Sequence, residues 1–519
     1  MGQMYDVIIA GAGPVGLFLA SELGLARMSV LVLEKQTTHD VAWKSHPLGR
    51  RGLNVIGKEA FYRRGLLDDV FMGPKAPPAP PKKTEFMFGG HFAGMVLNAN
   101  QLDLSRHKWR LPGPAVFPGQ TYMDRLEGAL TERAASLGVT IRRGEGVSRI
   151  LEQANGHVEV ETSEGSTCRG RWLVGCDGGR SAVRHEMGIA FDGTEPQMTG
   201  YSAKCTFDHP EKLIPGFHAT DNGLYAIVPD SLYLMDPDGA SYDRSQEVTK
   251  EHIQAVFERV SGIKDVKIDN FDYANSWTDA CRQAETYRKG RVLLAGDAAH
   301  IHSPMGAQGL NAGISDAINL GWKLAATIRQ EKRLPADSTL SQEQTALLDT
   351  YESERLPDGA WVLEWTRAQV LALQPGVFGK AMRTLFRDLF KTDDGANHMI
   401  DRIWGLSQRY ELEGTQSSHD LIGRSVPDYS LADGSRVGKL MEGGKGLFLN
   451  FKGYAGLGEL NEDYDSRVEY VEKASEQAEA AGLGAILVRP DGVVVWVGET
   501  GVEPDVEAAK VALQKWFAF

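Results

Sequence analysis

The sequence predicts an α/β fold in three parts: a helix-covered parallel sheet, an antiparallel sheet inserted into it, and a smaller mixed unit at the C-terminal end. Three observations carry that reading. Tyr5-Asp6-Val7-Ile8-Ile9-Ala10 reads as a buried parallel strand, and Gly11-Ala12-Gly13-Pro14-Val15-Gly16 turns it into a helix beginning near Leu17. Much later, the apolar run Val292 to Ala295 ends in Gly296-Asp297, and Gly309-Leu310-Asn311 opens a second helical pattern through Ile314, Ala317, Ile318 and Trp322. Between and after these segments the βα alternation breaks down into short strands and turns.

Each element follows in order. In the Gly-rich turn one glycine allows tight reversal, one lets backbone approach a pyrophosphate, and one lets helix pack on strand. After the second strand, Ser29 to Leu33, stands Glu34, where a ribose hydroxyl wants a carboxylate. An amphipathic helix is expected near Asn54 to Arg64. The run Pro74-Lys-Ala-Pro-Pro-Ala-Pro-Pro-Lys82 excludes helix and central strand and reads as an exposed loop. Glu85 to Asn98 has strand character, and Thr121 to Leu137 is a helix returning to the parallel layer. Val158 to Thr162 and Ser163 to Thr167 form a hairpin, and Arg171 to Val174 then leads into Asp177-Gly178.

Strands with turns occupy about 189 to 279, and helices dominate to about Arg409. The last region starts near Leu421 with strand-like Gly446 to Phe451, then an acid-rich helix Ser466 to Ala481, then two apolar runs, Ala485 to Arg489 and Gly492 to Val497. The domain reading is therefore 1–74, 99–188 and 280–410 for the parallel-sheet domain, 75–98 and 189–279 for the inserted sheet, and 421–519 for the last unit.

Composition narrows the function. A chain of 519 residues exceeds one core, and a net charge of -13 argues against nucleic acid, which demands a basic face. No segment has the length and purity of a membrane span, and the first strand begins too early for a signal peptide, so the expected setting is cytoplasmic. Cys168, Cys176, Cys205 and Cys281 form no Cys-x-x-Cys pair and read as reduced thiols. His300 and His302 stand two apart, but no carboxylate or cysteine completes a metal set at the usual spacing, so no metal is expected.

A third motif, Val174-Gly-Cys-Asp-Gly-Gly-Arg-Ser181, joins the Gly-rich turn and the Gly-Asp run. In order and spacing the three resemble the single-component FAD-dependent aromatic hydroxylases, the class typified by p-hydroxybenzoate hydroxylase. Gly89 to Gly94, Gln120 with Arg125, Asp349 to Arg355, Gly423 to Asp428 and Leu487 to Gly492 extend the likeness over nearly the whole chain, toward the polyketide hydroxylase and rifampicin monooxygenase type. The resemblance implies a Rossmann-like FAD domain, an antiparallel sheet roofing the flavin, and a thioredoxin-like C-terminal domain. That last domain holds no cysteine, which excludes thiol chemistry and leaves packing, solubility or assembly.

The same likeness implies the site. Gly11, Gly13, Val15 and Gly16 would carry the FAD pyrophosphate, Glu34 and Lys35 would meet the ribose side, and Val147 falls on a strand beside adenine. Arg51 and Gln120 match positions contacting FAD phosphates and ribityl region, and Asp177 a region serving FAD and docking of the nicotinamide donor. Asp297 would hydrogen-bond the ribityl chain, with Pro304 at the flavin C4a edge and the backbone of Gly309, Leu310 and Asn311 at the pyrimidine end. Read singly, Asp297 is as readily a turn aspartate, Arg51 an exposed arginine and Gln120 a capping glutamine. A helix beginning near Leu310 offers unpaired N–H groups to the anionic reduced flavin without a dedicated cation.

The implied activity is monooxygenation of a polycyclic phenol or quinone, consuming O2 and NADPH or NADH, through a flavin C4a-hydroperoxide, in antibiotic biosynthesis or modification. No second Gly-x-Gly-x-x-Gly follows a strand, so the hydride donor must dock on the same domains. Baeyer-Villiger oxidation or epoxidation is open to the same cofactor, and a non-catalytic ligand carrier is the remaining alternative. A halogenase would carry Trp-x-Trp-x-Ile-Pro, which is absent. The partners expected are a small aromatic substrate and O2, with no nucleic acid and no membrane, on a monomer or homodimer.

One departure stands out: family members often show histidine and arginine after the Arg-Gly-Leu run, where this chain has Asn54 and Ile56. Asn54 is open to substrate, flavin or helix-cap roles. His91, Tyr225, Tyr233 and Arg282 are candidate acid–base groups, core packing or surface exposure serving each equally, and no catalytic base is assigned.

Overall fold

A computed structural model describes residues 3–39, 41–72, 85–154, 156–335, 340–412 and 419–518. The proline-rich run 74–82 lies outside the described residues. At the centre, five strands run parallel in the order Thr140–Arg143, Val30–Glu34, Met4–Ala10, Thr167–Gly175, Val292–Leu294. Six of the seven residues of Met4–Ala10 are buried, as a strand covered on both faces requires.

Register is what makes this sheet functional. Ala10 lies opposite Leu33 on one side and Gly175 on the other, and Gly175 lies opposite Leu294. All four strands therefore end at one level, and the residues following each spill onto the same edge. Open α/β sheets bind ligands outside the carboxyl ends of their strands.

Two helices cover one side of this edge. Pro14–Leu25 starts three residues earlier than its apolar pattern suggests, because Pro14 at the first turn has its φ preset and needs no N–H acceptor. Gly309–Glu331 packs against it so closely that a Cβ on Gly321 would lie 2.5 Å from Glu22 Cβ.

The inserted sheet has five antiparallel strands in the order Gly216–Thr220, Gly223–Val228, Ser231–Asp236, Thr199–Phe207, Ile268–Thr278. Its outer face is sealed by a helix, Lys250–Ser261, in a stretch whose sequence reads as strands and turns throughout. Ile253, Val256, Phe257 and Val260 supply the helical stripe, and Thr249 caps it through its side chain.

Two further expectations are corrected. The hairpin runs His157–Thr162 into Thr167–Gly175, so Ser163 to Ser166 form the turn and not the second arm. Ser466–Ala481 is not a helix: Val468–Glu472 is an edge strand pairing in parallel with Gly446–Asn450, followed by a short helix Glu476–Ala480. Its acidic residues Glu469 and Glu472 are exposed while Val468 and Val471 are buried, a spacing of three that a helix would also give, so the pairing with Gly446–Asn450 and not the period makes it a strand.

The C-terminal sheet has the order Val468–Glu472, Gly446–Asn450, Leu483–Val488, Val494–Glu499, with one parallel and two antiparallel pairs. This is a thioredoxin-like arrangement. It is joined to the rest by buried charge: Arg489 donates to both Glu354 carboxylate oxygens at 2.7 and 2.8 Å, and Lys323 reaches Glu354 at 3.0 Å.

Candidate cofactor cleft and substrate roof

The cleft is built first from glycines. Gly11 has φ +102°, and a Cβ there would sit 2.4 Å from the Cys176 carbonyl oxygen, so the first turn and the Asp177 motif are pressed together. Gly16 is barred likewise by the Gly11 carbonyl at 2.1 Å. Gly13 differs: a Cβ there would meet no protein atom within 4 Å. It faces open space above the helix start, where backbone alone suits an anion. Val15 packs in the opposite direction, its Cγ2 lying 3.0 Å from a Cβ on Gly296 and 2.5 Å from one on Gly313.

Carboxylates follow. Glu34 accepts from the Ala12 N–H at 2.7 Å and the Gln36 N–H at 2.8 Å, which pins the glycine turn to the second strand. Asp177 Oδ2 accepts from the N–H groups of Ala182 and Val183 at 2.7 and 3.2 Å, while its buried Oδ1 has no partner among the described residues. Asp297 lies in the single turn Gly296–Ala298 and opens to the cleft, yet so much protein encloses it that desolvation raises its carboxyl pKa.

Beneath Asp297 runs a network that sequence reasoning missed. Asp316, wholly buried, accepts from the Gly296 N–H at 2.9 Å and pairs with His300 Nε2 at 2.8 Å and Arg355 Nε at 2.8 Å. Burial alone would push this carboxyl up, but Arg355 and His300 outweigh it and hold it below the usual carboxylate range. Arg355 also reaches the Ala312 carbonyl at 3.1 Å, Tyr410 Oη at 3.0 Å and the Asp358 carboxylate. The signals in the sequence were an aspartate interrupting the apolar stripe of Ile314, Ala317 and Ile318, and the run Asp349 to Arg355 that ends in its partner.

His302 stands nearby, its Nδ1 donating to the Ser303 carbonyl at 2.7 Å and burial pressing its pKa down to about 4. A Cβ on Gly309 would lie 3.2 Å from its Nε2, which has no partner among the described residues. The loop then bares Pro304 and Ala307 and enters Gly309–Glu331, whose N-terminus carries no side-chain cap. Its first N–H groups are free to meet an anion. Asn311 is structural in its side chain: it accepts from the Asn54 N–H at 2.9 Å and donates to the Gly52 and Ala307 carbonyls at 3.0 and 2.9 Å. Asn54 in turn caps the helix Val55–Tyr62, accepting from the Gly57 N–H at 2.8 Å.

The remaining sequence candidates divide. Arg51 and Gln120 lie on paired strands, Gly52 opposite Gln120; Gln120 is exposed, and Arg51 Nη1 donates to the Leu48 and Arg50 carbonyls at 2.9 and 2.8 Å. Val147 follows Gly146, whose added Cβ would be 3.0 Å from Lys35 Cβ, so Val147 lies near the exposed Lys35. Leu310 is half-buried at the helix start.

Above the cleft, an apolar cluster joins Phe92, Met95, Met198, Leu224, Met235, Met305, Ile403 and Trp404, with Phe217, Trp277, Trp365 and Phe386 packed against it. His91 packs at a tilt against Phe217, ring centroids 4.3 Å apart, and burial lowers its pKa to about 4. Tyr233 faces Arg51, whose charge partly offsets the burial that raises its phenol pKa. Tyr225 packs with Phe257 and His218 on the helix-covered face, away from the cleft, and Arg282 pairs with Glu195 in an ion pair open to solvent.

This architecture recurs in known proteins. The FAD binding domain family matches residues 4–366, and the aromatic-ring hydroxylase C-terminal family matches residues 419–518. A monooxygenase from Claviceps purpurea is 44% identical over 98% of this chain and 97% of its own length. Rifampicin monooxygenase from Streptomyces venezuelae is 34% identical over 99% of both chains. Among solved structures, an anhydrotetracycline hydroxylase from Streptomyces rimosus superposes with a TM-score of 0.82 at 33% identity, covering 100% of both chains. Among the described residues no helix is long and apolar enough to cross a membrane.

Proposed function

The chain belongs to the FAD-dependent aromatic-ring hydroxylases, and from that premise we propose that it hydroxylates a polycyclic phenol or quinone of the polyketide or antibiotic kind. FAD is the cofactor of the family, and when bound it takes hydride from a nicotinamide and activates O2. The rest falls to this chain's residues. Gly11, Gly13, Val15 and Gly16 receive the pyrophosphate on the start of Pro14–Leu25, with Arg51 and Gln120 beside the phosphate and ribityl region. Glu34, Lys35 and Val147 border the adenosine end, and Asp177 offers its unpartnered Oδ1 to the cofactor or to the incoming NADPH or NADH.

Asp297 meets the ribityl chain, held in place by the Asp316 carboxylate on the Gly296 N–H. Pro304 flanks the reacting edge, while the N–H groups of Gly309, Leu310 and Asn311 receive negative charge at the pyrimidine end. The apolar roof seats the aromatic substrate and excludes water. A phenol supplies its own ring nucleophile, so no protein base is assigned.

The observation that carries this reading is the shared level of Ala10, Leu33, Gly175 and Leu294, which delivers every motif to one edge. We further propose that 421–519 is a packing and positioning domain, and that the enzyme works in the cytoplasm as a monomer or homodimer. The test is NADPH and NADH oxidation by FAD-loaded protein with phenols, naphthoquinones, anthraquinones, tetracyclines and rifamycins, with product masses recorded. Stimulated oxidation with addition of one oxygen is expected. Stimulation by none of them would overturn the substrate class, and an inserted ring oxygen or epoxide would replace hydroxylation by those chemistries.

A further inference from the structure

Within the apolar roof cluster one buried amide side chain is spent on two separate pieces of backbone. Gln369, on the helix Gln342–Leu373, has no solvent exposure. Its Oε1 accepts from the Ala93 N–H at 3.0 Å, and its Nε2 donates to the Met305 carbonyl at 3.3 Å. Ala93 is the turn of the roof hairpin formed by Phe88–Phe92 and Met95–Asn98, with a left-handed φ of 48° that an alanine adopts only when held. Met305 follows Pro304 in the loop leading to the Gly309 helix.

Three more bonds close the circuit. Gln308 Nε2 donates to the Ile403 carbonyl at 3.3 Å and the Gly306 carbonyl at 3.1 Å, and Trp404 Nε1 donates to the Gly89 carbonyl at 2.8 Å. The cofactor-side loop and the substrate-side hairpin are thus tied at both ends, and among the described residues Gln369 alone bonds to both directly. Gly306, at φ +84°, fits closely beside it: a Cβ there would lie 3.0 Å from Gln369 Nε2. A methionine or leucine at 369 would fill the space but satisfy neither backbone group.

We propose that Gln369 is a positioning residue that sets the distance between the flavin edge at Pro304 and the substrate roof, and thereby the efficiency of oxygen transfer; this rests on the flavoenzyme reading above. Transfer to a ring is lost when the two reactants sit apart by about an ångström, whereas hydride uptake and O2 reduction do not depend on that distance. The relay also runs in reverse. Ordering of the loop by FAD must reach the Ala93 N–H through one amide side chain.

The first test is amide hydrogen exchange on the unmodified protein with and without FAD. Slower exchange at Ala93 on FAD loading is expected, together with protection of 304–311. FAD binding that protects 304–311 and leaves Ala93 unchanged would overturn the relay alone; no FAD binding would overturn the flavoenzyme reading and this inference with it. The second test is Gln369→Met, assayed with whichever aromatic compound stimulates the parent enzyme. The ratio of hydroxylated product to NADPH consumed should fall by about tenfold or more, with hydrogen peroxide making up the difference. Gln369→Leu, which satisfies neither backbone group, should uncouple as well. Variants that fold and retain the parent ratio would contradict the proposal.

Discussion

The floor of the cleft and its roof are held by opposite means. Below, buried His300 and Arg355 converge on Asp316, which holds the backbone of Gly296, and Gly11 and Gly16 close the turn to within contact distance. Above, methionines and aromatics form the surface, and a few amide bonds fix it. A charge network has one satisfied geometry, while thioether and ring packing tolerates many. The floor is suited to a cofactor that never changes, and the roof to a substrate that differs among relatives.

The harshest way to break this contrast is Asp316→Ala. Removing one member of a buried ionic set takes from Arg355 its fully buried carboxylate, leaving it Asp358, and should cost about 3 kcal/mol, with loss of FAD, as read by urea unfolding and flavin content. Next comes a pair of glycine variants. Gly11→Ala, with φ +102° and the Cys176 oxygen 2.4 Å from its Cβ, should destabilise the fold by more than about 1 kcal/mol. Gly13→Ala, whose Cβ meets no protein atom within 4 Å, should leave the unfolding free energy within about 0.5 kcal/mol yet weaken FAD binding in a fluorescence titration. Equal effects on stability would erase the distinction between a packing glycine and a ligand-facing one.

On the roof the expected effects are smaller. Met235→Leu should cost less than about 1.5 kcal/mol and leave FAD affinity alone, while shifting preference among polycyclic substrates measured by kcat/KM. Smallest at neutral pH is the contribution of the buried imidazoles. His91 and His302 have folded pKa values of about 4, below the ordinary 6.5, so the native state binds fewer protons than the unfolded chain between those limits. Their stabilising contribution is complete above pH 6.5 and is lost as pH falls toward 4. His91→Asn should make the acid limb of the stability profile shallower.

The same contrast explains what the sequence disclosed. The floor was legible because a dinucleotide imposes glycines and carboxylates at fixed offsets from strands, and Gly11, Glu34, Asp177 and Asp297 all lie where those offsets put them, on one edge. Asp316 and Arg355 were not, since a buried pair 39 residues apart leaves no local pattern. Asn54, open to several roles in the sequence, is a helix cap tied to Asn311 across 257 residues. The helix Lys250–Ser261 escaped notice because its neighbours are strands, and Val468–Glu472 because acidic residues on an edge strand mimic a solvated helix. Roof residues gave least of all, for no periodicity reports that Tyr225 turns outward while Tyr233 turns in.

The most direct measurement is turnover of FAD-loaded protein with NADPH, a stimulating polycyclic phenol and isotopically labelled O2. One labelled oxygen atom per product molecule, on a ring carbon, is the result expected of this floor and roof acting together. NADPH oxidation that returns all label as peroxide and water for every compound would contradict it.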